Sequence, residues 1–247
     1  IGFTQAEVPI ADTQVLLLAL QYASTYGYTV WLRPQDAWLG CHGIAASGAV
    51  ATRMGLPSTP AMAETIALHT IFELMRATNA RVHLCRLSSR KGLDLVAAAK
   101  REGLKVSCDA SIHHVHLCDV DLGYFDPQMR MLPPLRSQRD RDAIRARLED
   151  GTIDALCSNH TPVDDDEKLL PFSEAAPGAT GLELLLPLTL QWAAEKKRPL
   201  SEALARLTAA PAAILGLLES QRAGQLSVNS TADVCLFAPD YSWQIQP

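Results

Sequence analysis

The stretch Asp154-Ala155-Leu156-Cys157-Ser158-Asn159-His160-Thr161-Pro162-Val163 decides the fold of this chain. An apolar run ends there in a short polar cluster, and the acidic segment Asp164-Asp165-Asp166-Glu167 follows. A buried strand that releases polar side chains only at its C-terminal end is how a parallel α/β sheet builds a site. Upstream, residues 139–150 read as a charged surface helix that Gly151 stops, and residues 104–110 as another strand.

The same unit recurs toward the N-terminus. Asp12 or Thr13 caps a helix with the apolar stripe Val15, Leu16, Ala19, Leu20 and Ala23, and Gly27 ends it. Residues 28–32 are a β-branched and aromatic strand leading to Arg33-Pro34-Gln35-Asp36. Residues 40–55 read as a small-residue loop with a short helix. A helix from Pro60 carries Ala63, Ile66, Ala67, Ile71 and Leu74, with Glu64 in its first turn. Residues 81–87 return as a strand, and Ser88 or Ser89 opens a helix over 92–102. A long connection holding His113, His114 and His116 leads to the helix over 139–150. Helices are predicted at 181–195, 200–207 and 211–217, and residues 231–237 alternate like a half-exposed strand outside the main layer.

Parallel strand-helix units define an α/β fold, either a barrel or a doubly wound sheet. A complete eight-stranded barrel takes about 250 residues and eight such units. Here that length holds roughly half the strands. The expected organisation is therefore the C-terminal part of a TIM-like (β/α)8 barrel over 1–220, with strands of a small appended β domain over 221–247. Preceding strands are expected upstream of Ile1.

Composition narrows the function. The 247 residues are 48% hydrophobic and 20% charged, enough for a sizeable core. A net charge of -5 with dispersed Lys and Arg argues against nucleic acid. Cys41, Cys85, Cys108, Cys118, Cys157 and Cys235 show no paired spacing, so a reducing, cytoplasmic setting without disulfides is expected. No run has the length of a membrane span or the pattern of a signal peptide.

Several ordered motifs resemble the long-type dihydroorotases of the amidohydrolase superfamily. Gly2-Phe3-Thr4-Gln5-Ala6-Glu7-Val8-Pro9 is similar to that family's Gly-Phe-Ser-Asp-Asp-Gly-x-Pro, and residues 84–88 to its His-Val-Ser-Thr strand end. Residues 107–114 resemble its Cys-Glu-Val-x-Pro-His-His, residues 132–136 its Asn-Pro-Pro-Leu-Arg, and residues 158–163 its Thr-Asp-His-Ala-Pro-His. Pro177-Gly178-Ala179-Thr180-Gly181-Leu182-Glu183 also has the family pattern. The resemblance implies an amidohydrolase barrel that opens or closes the dihydroorotate ring with zinc.

Carried over position by position, the implied metal ligands are altered. The bridging Asp falls on Gln5 or Ala6, the two metal-binding His on Arg33 and Arg86, and the catalytic Asp on Asn159. Two implied substrate positions are Leu132 and Val163, and the first-strand His-x-His lies upstream of Ile1. Guanidinium has no lone pair to offer a metal. A charge about 4 Å from a cation is worth roughly 1–4 kcal/mol in partly screened surroundings, and losing a general base costs on the order of 10² to 10⁴ in rate. The expectation is a protein that is not an enzyme, with vestigial positions Ala6, Arg33, Arg86 and Asn159 and no zinc.

By the same resemblance, it is expected to act as a scaffold partner of the aspartate carbamoyltransferase catalytic chain in pyrimidine biosynthesis, in a typically dodecameric complex. The alternative is a metal-dependent cyclic-amide hydrolase of the dihydroorotase, allantoinase or dihydropyrimidinase kind, with ligands upstream. A third reading is an anion sensor using Arg33 and Arg86. Either guanidinium, if buried, needs a carboxylate such as Asp36 or Asp109, or a bound anion. His113, His114 and His116 read as loop histidines, His160 as a hydrogen-bonded structural residue, the acidic run as solvated loop, and Cys85 and Cys157 as core.

Overall fold

The computed structural model describes residues 2–5, 7–220 and 223–241. Strands β1 (Gly2–Thr4), β2 (Thr29–Leu32), β3 (Ala45–Ala46), β4 (Ser58–Thr59), β5 (Arg81–Leu84), β6 (Val106–Ser111) and β7 (Ala155–Cys157) alternate with helices. The helices are α1 (Thr13–Thr25), α2 (Ala49–Met54), α3 (Met62–Thr78), α4 (Arg90–Glu102), α5 (Ile112–His116), α6 (Gln138–Glu149), α7 (Asp165–Lys168), α8 (Leu185–Glu195), α9 (Leu200–Ala205), α10 (Ala209–Ile214) and α11 (Leu217–Ser220). The main sheet runs β1-β2-β5-β6-β7, every pair parallel. Sequential parallel order with a helix after each strand is the arc of a barrel wall, in which all C-terminal strand ends face one mouth.

Local chemistry sets the element ends. Asp12 accepts the backbone N–H of Gln14 and Val15 to start α1, and Ser89 accepts that of Gly92 to start α4. Gly103 closes α4 in the left-handed conformation. The core between sheet and helices holds Leu16, Leu20, Leu32, Leu68, Val82, Leu84, Leu93, Val96, Ile144 and Trp192. Of the expected α1 stripe, Leu16, Leu20 and Ala23 are buried, whereas Val15 and Ala19 face out, because the contact with α3 uses a narrower face.

The structure departs from expectation in three places. The small-residue run near 40–55 gains the short pair β3–β4 beside α2. The three histidines sit on α5, capped by the Ser111 side chain, and not on an extended loop. Residues 231–237 form no strand, and Val234 and Leu236 stand exposed. An alternating strand is stable only against a partner, and none pairs with it among the described residues. No helix there is long and apolar enough to cross a membrane.

Candidate active site at the barrel mouth

The strand ends line an open cavity of about 330 Å³, bounded by Thr4, Glu7, Arg33, Arg86, Asn159 and His160, with Cys85, Asp109 and Cys157 at its floor. Arg86 and Asn159 both have positive φ, 56° and 46°. The turn at Arg86 aims its N–H at the Asp109 carboxylate, 2.7 Å away. Its guanidinium donates twice to Glu7, at 2.7 and 2.9 Å, and once to Asn159 Oδ1 at 3.0 Å. Asn159 Nδ2 in turn donates to the Leu132 carbonyl at 3.3 Å.

Arg33 is 5% exposed. It donates to the Glu7 carbonyl at 2.6 Å and to the Gln35 side chain, while its Nε lies 3.7 Å from the Glu7 carboxylate. Burial first, then the neighbouring Arg86 charge, lowers its pKa, and Glu7 opposes that shift. The carboxylate that serves both guanidiniums is thus Glu7, and not Asp36 or Asp109 as the sequence suggested. Asp36 instead accepts the N–H groups of Trp38 and Leu39. Glu7 was legible only as one residue of a loop motif; nothing local marks it as a partner for a side chain 79 positions away.

The other expected positions resolve as follows. Ala6 lies outside the described residues. His160 accepts, through Nδ1, the N–H groups of Gly181 and Leu182 at 3.2 and 3.4 Å, so it anchors the segment that follows. Gly181 is required at that contact, since a Cβ would lie 2.1 Å from the Ser158 carbonyl. His114 is buried and bonds the Pro134 carbonyl, and His116 bonds the Leu188 carbonyl. Different anchors hold these two rings.

Beneath the mouth lies a second set of groups. His83 bonds Ser107 Oγ through Nδ1 at 2.8 Å and Asp109 through Nε2 at 2.9 Å, with its ring centroid 4.3 Å from that of Trp31. Cys157 donates to the other Asp109 oxygen at 3.2 Å. Burial pushes the Cys85 thiol up to about 12, with Asp109 adding to the rise. Cys157 is pushed well up for the same two reasons. Sequence reading placed Cys85 and Cys157 in the core and passed over His83; period-two alternation, which puts 83 and 85 on one face, was the available signal.

The zinc implied by the resemblance does not fit positions 33, 86 and 159. Two guanidiniums repel a cation, and an amide oxygen already accepting from Arg86 is a poor ligand.

No protein-family model matches the sequence. Among solved structures, L-hydantoinase (dihydropyrimidinase) from Arthrobacter aurescens superposes with a TM-score of 0.80 at 23% identity, over 94% of this chain and 53% of that one. The fold is therefore that of the amidohydrolase TIM barrel, and this chain supplies its C-terminal part. A dihydroorotase-like protein of Pseudomonas putida is 37% identical over 242 residues, covering 98% of this chain and 56% of the relative. A dihydroorotase of Syntrophotalea carbinolica is 35% identical over 239 residues, covering 97% and 55%. These relatives support the dihydroorotase family for this chain, which spans about half their length.

The comparisons correct one expectation. The chain was expected not to be an enzyme; relatives named dihydroorotase point to an enzyme instead. The physical reason is one of scope. Altered residue types at a few mouth positions say nothing of donors held on the rest of a barrel wall, of which this chain forms an arc.

Proposed function

We propose that the chain forms part of a cyclic-amide hydrolase of the dihydroorotase kind, with metal ligands in the portion of its relatives' length that it does not span. The observation that carries this reading is the 35–37% identity to dihydroorotase and dihydroorotase-like relatives across at least 97% of the chain. The mouth suits an anionic ring. Glu7, whose side chain is 63% exposed, can swing away and yield Arg86 to a substrate carboxylate. Asn159 and Arg33 then orient that anion from either side.

The test is ring opening of dihydroorotate, dihydrouracil and hydantoin by the protein as the cell makes it, with zinc added. Turnover of dihydroorotate, with Arg86→Ala raising KM for this substrate about 10-fold or more, supports the reading. No turnover of any of the three sinks it.

A second reading is partnership with the aspartate carbamoyltransferase catalytic chain, which is compatible with the first. The guanidinium pair at positions 33 and 86 favours it, because the family resemblance associates such altered mouths with that complex. Co-elution with the transcarbamoylase in size exclusion supports it; two separate peaks and unchanged transcarbamoylase activity count against it.

A further inference from the structure

We propose that His83, Cys85, Asp109 and Cys157 form a zinc site inside the barrel wall, beneath the strand-end positions where the family resemblance puts its metal. This assignment does not depend on the proposed hydrolase activity.

The strand register brings the four together. His83 and Cys85 are two residues apart and share the inward face of one strand. In the β5–β6 pairing His83 faces Ser107, which sets Asp109 beside Cys85, and the β6–β7 pairing sets Cys157 against Ser111, two residues beyond Asp109. The donor atoms of His83, Cys85 and Asp109 all lie within 4.8 Å of one another. Cys157 Sγ is 3.2 Å from Asp109 Oδ1. A tetrahedral zinc, with bonds of about 2.0–2.3 Å, needs donors roughly 3–4 Å apart. Three donors already stand close together, whereas Cys157 lies outside that group and must move its thiol toward it to become the fourth ligand.

The donor chemistry is also that of zinc. Two sulfurs, an imidazole and a carboxylate suit a borderline-soft ion and disfavour magnesium or calcium, which take oxygen ligands. Ser107 holds the far nitrogen of His83, so Nε2 faces Asp109, the outer-sphere arrangement common for metal-binding histidines. The Cys85 thiol has no hydrogen-bond partner among the described residues.

Charge supplies the remaining argument. With both cysteines as thiolates and Asp109 ionised, a divalent ion leaves the site at a net charge of about −1. Arg86, whose charge favours both thiolates, lines the same cavity and donates its backbone N–H to Asp109. A guanidinium that expels a cation from the mouth therefore stabilises an anionic zinc complex below it.

Titration of the metal-free protein, as the cell makes it, with Co²⁺ as a spectroscopic substitute for Zn²⁺ tests the site without substrate. The expected result is one equivalent of cobalt whose binding depends on Cys85 and Cys157, a thiolate-to-cobalt charge-transfer band, and displacement of that cobalt by Zn²⁺. Outer-sphere substitutions alone cost about 10- to 100-fold in affinity, so Cys85→Ser and Cys157→Ser should each weaken binding by at least about 100-fold, while Cys41→Ser leaves it unchanged. Circular dichroism verifies that each variant is folded. Absence of the band in the unaltered protein overturns the proposal, as does a folded Cys85→Ser or Cys157→Ser variant with unaltered affinity.

Discussion

Glu7 and Arg86 are joined by a two-pronged ion pair, at 2.7 and 2.9 Å, that ties the loop after the first strand to the end of the third strand of the main sheet. Arg86 is largely buried and Glu7 is not. Solvent screens the carboxylate side, so the pair stabilises the fold by about 1 kcal/mol, the upper end of the exposed range. Removing the carboxylate has a second effect. It leaves two guanidiniums facing the cavity without their counter-charge. Glu7→Gln should therefore lower stability by roughly 1–2 kcal/mol and tighten binding of small dicarboxylates, read by thermal shift with malonate. Unchanged anion affinity would show that Glu7 does not occupy the anion position.

Glu64 carries more of the fold than its sequence position suggests. Only 4% exposed, it accepts the N–H and hydroxyl of Ser88 at 2.9 and 2.6 Å and those of Ser89 at 3.0 and 2.5 Å. Arg136 donates to Ser88 Oγ at 2.7 Å, extending the network. Glu64→Ala strands four donors in a buried site, and a loss of about 3–5 kcal/mol is expected by urea denaturation. Gly92→Ala should also destabilise, since its Cβ would fall 2.1 Å from the same carboxylate.

What the sequence revealed, and what it hid, follows from range. The arc of the barrel was legible because caps such as Asp12 and Ser89, stops such as Gly103 and apolar strands such as 155–157 are local signals. The mouth was legible as positions: Arg33, Arg86 and Asn159 do converge there. Their partners were not. Glu7 reaches Arg86 across 79 residues, and Glu64 reaches Ser88 and Ser89 across 24 and 25, distances over which no periodicity carries information. The tail was misread for the opposite reason: residues 231–237 alternate correctly, but a strand also needs a partner.

Cysteine reactivity gives an independent check on the site floor. Cys41 and Cys235 are exposed, whereas the Cys85 thiol is pushed up to about 12 by burial and by Asp109. The thiolate is the nucleophile. At mildly alkaline pH, iodoacetamide should label Cys41 and Cys235 first, with Cys85, Cys108 and Cys157 at least about 100-fold slower in the native protein. Peptide mapping by mass spectrometry reads the order. Rapid native labelling of Cys85 would contradict its raised thiol pKa.

Acid should destabilise the fold through α5. His114 is fully enclosed, and burial, reinforced by the nearby His113 and Arg136 and opposed by its bond to the Pro134 carbonyl, lowers its pKa to about 4. Burial lowers His113 and His116 in the same direction. The unfolded chain holds these rings near an ordinary value of about 6.5. Each is therefore neutral in the folded state where the unfolded state binds a proton. The stability they contribute is complete above about pH 6.5 and declines as pH falls toward about 4, where His114 itself protonates. A gap of about two and a half units corresponds to roughly 3 kcal/mol for His114 if realised in full. Urea midpoints should fall steadily from about pH 7 to about pH 5. In His114→Gln, whose amide can keep the bond to Pro134, the slope should be shallower by about one proton, and an unaltered slope would place the acid sensitivity elsewhere.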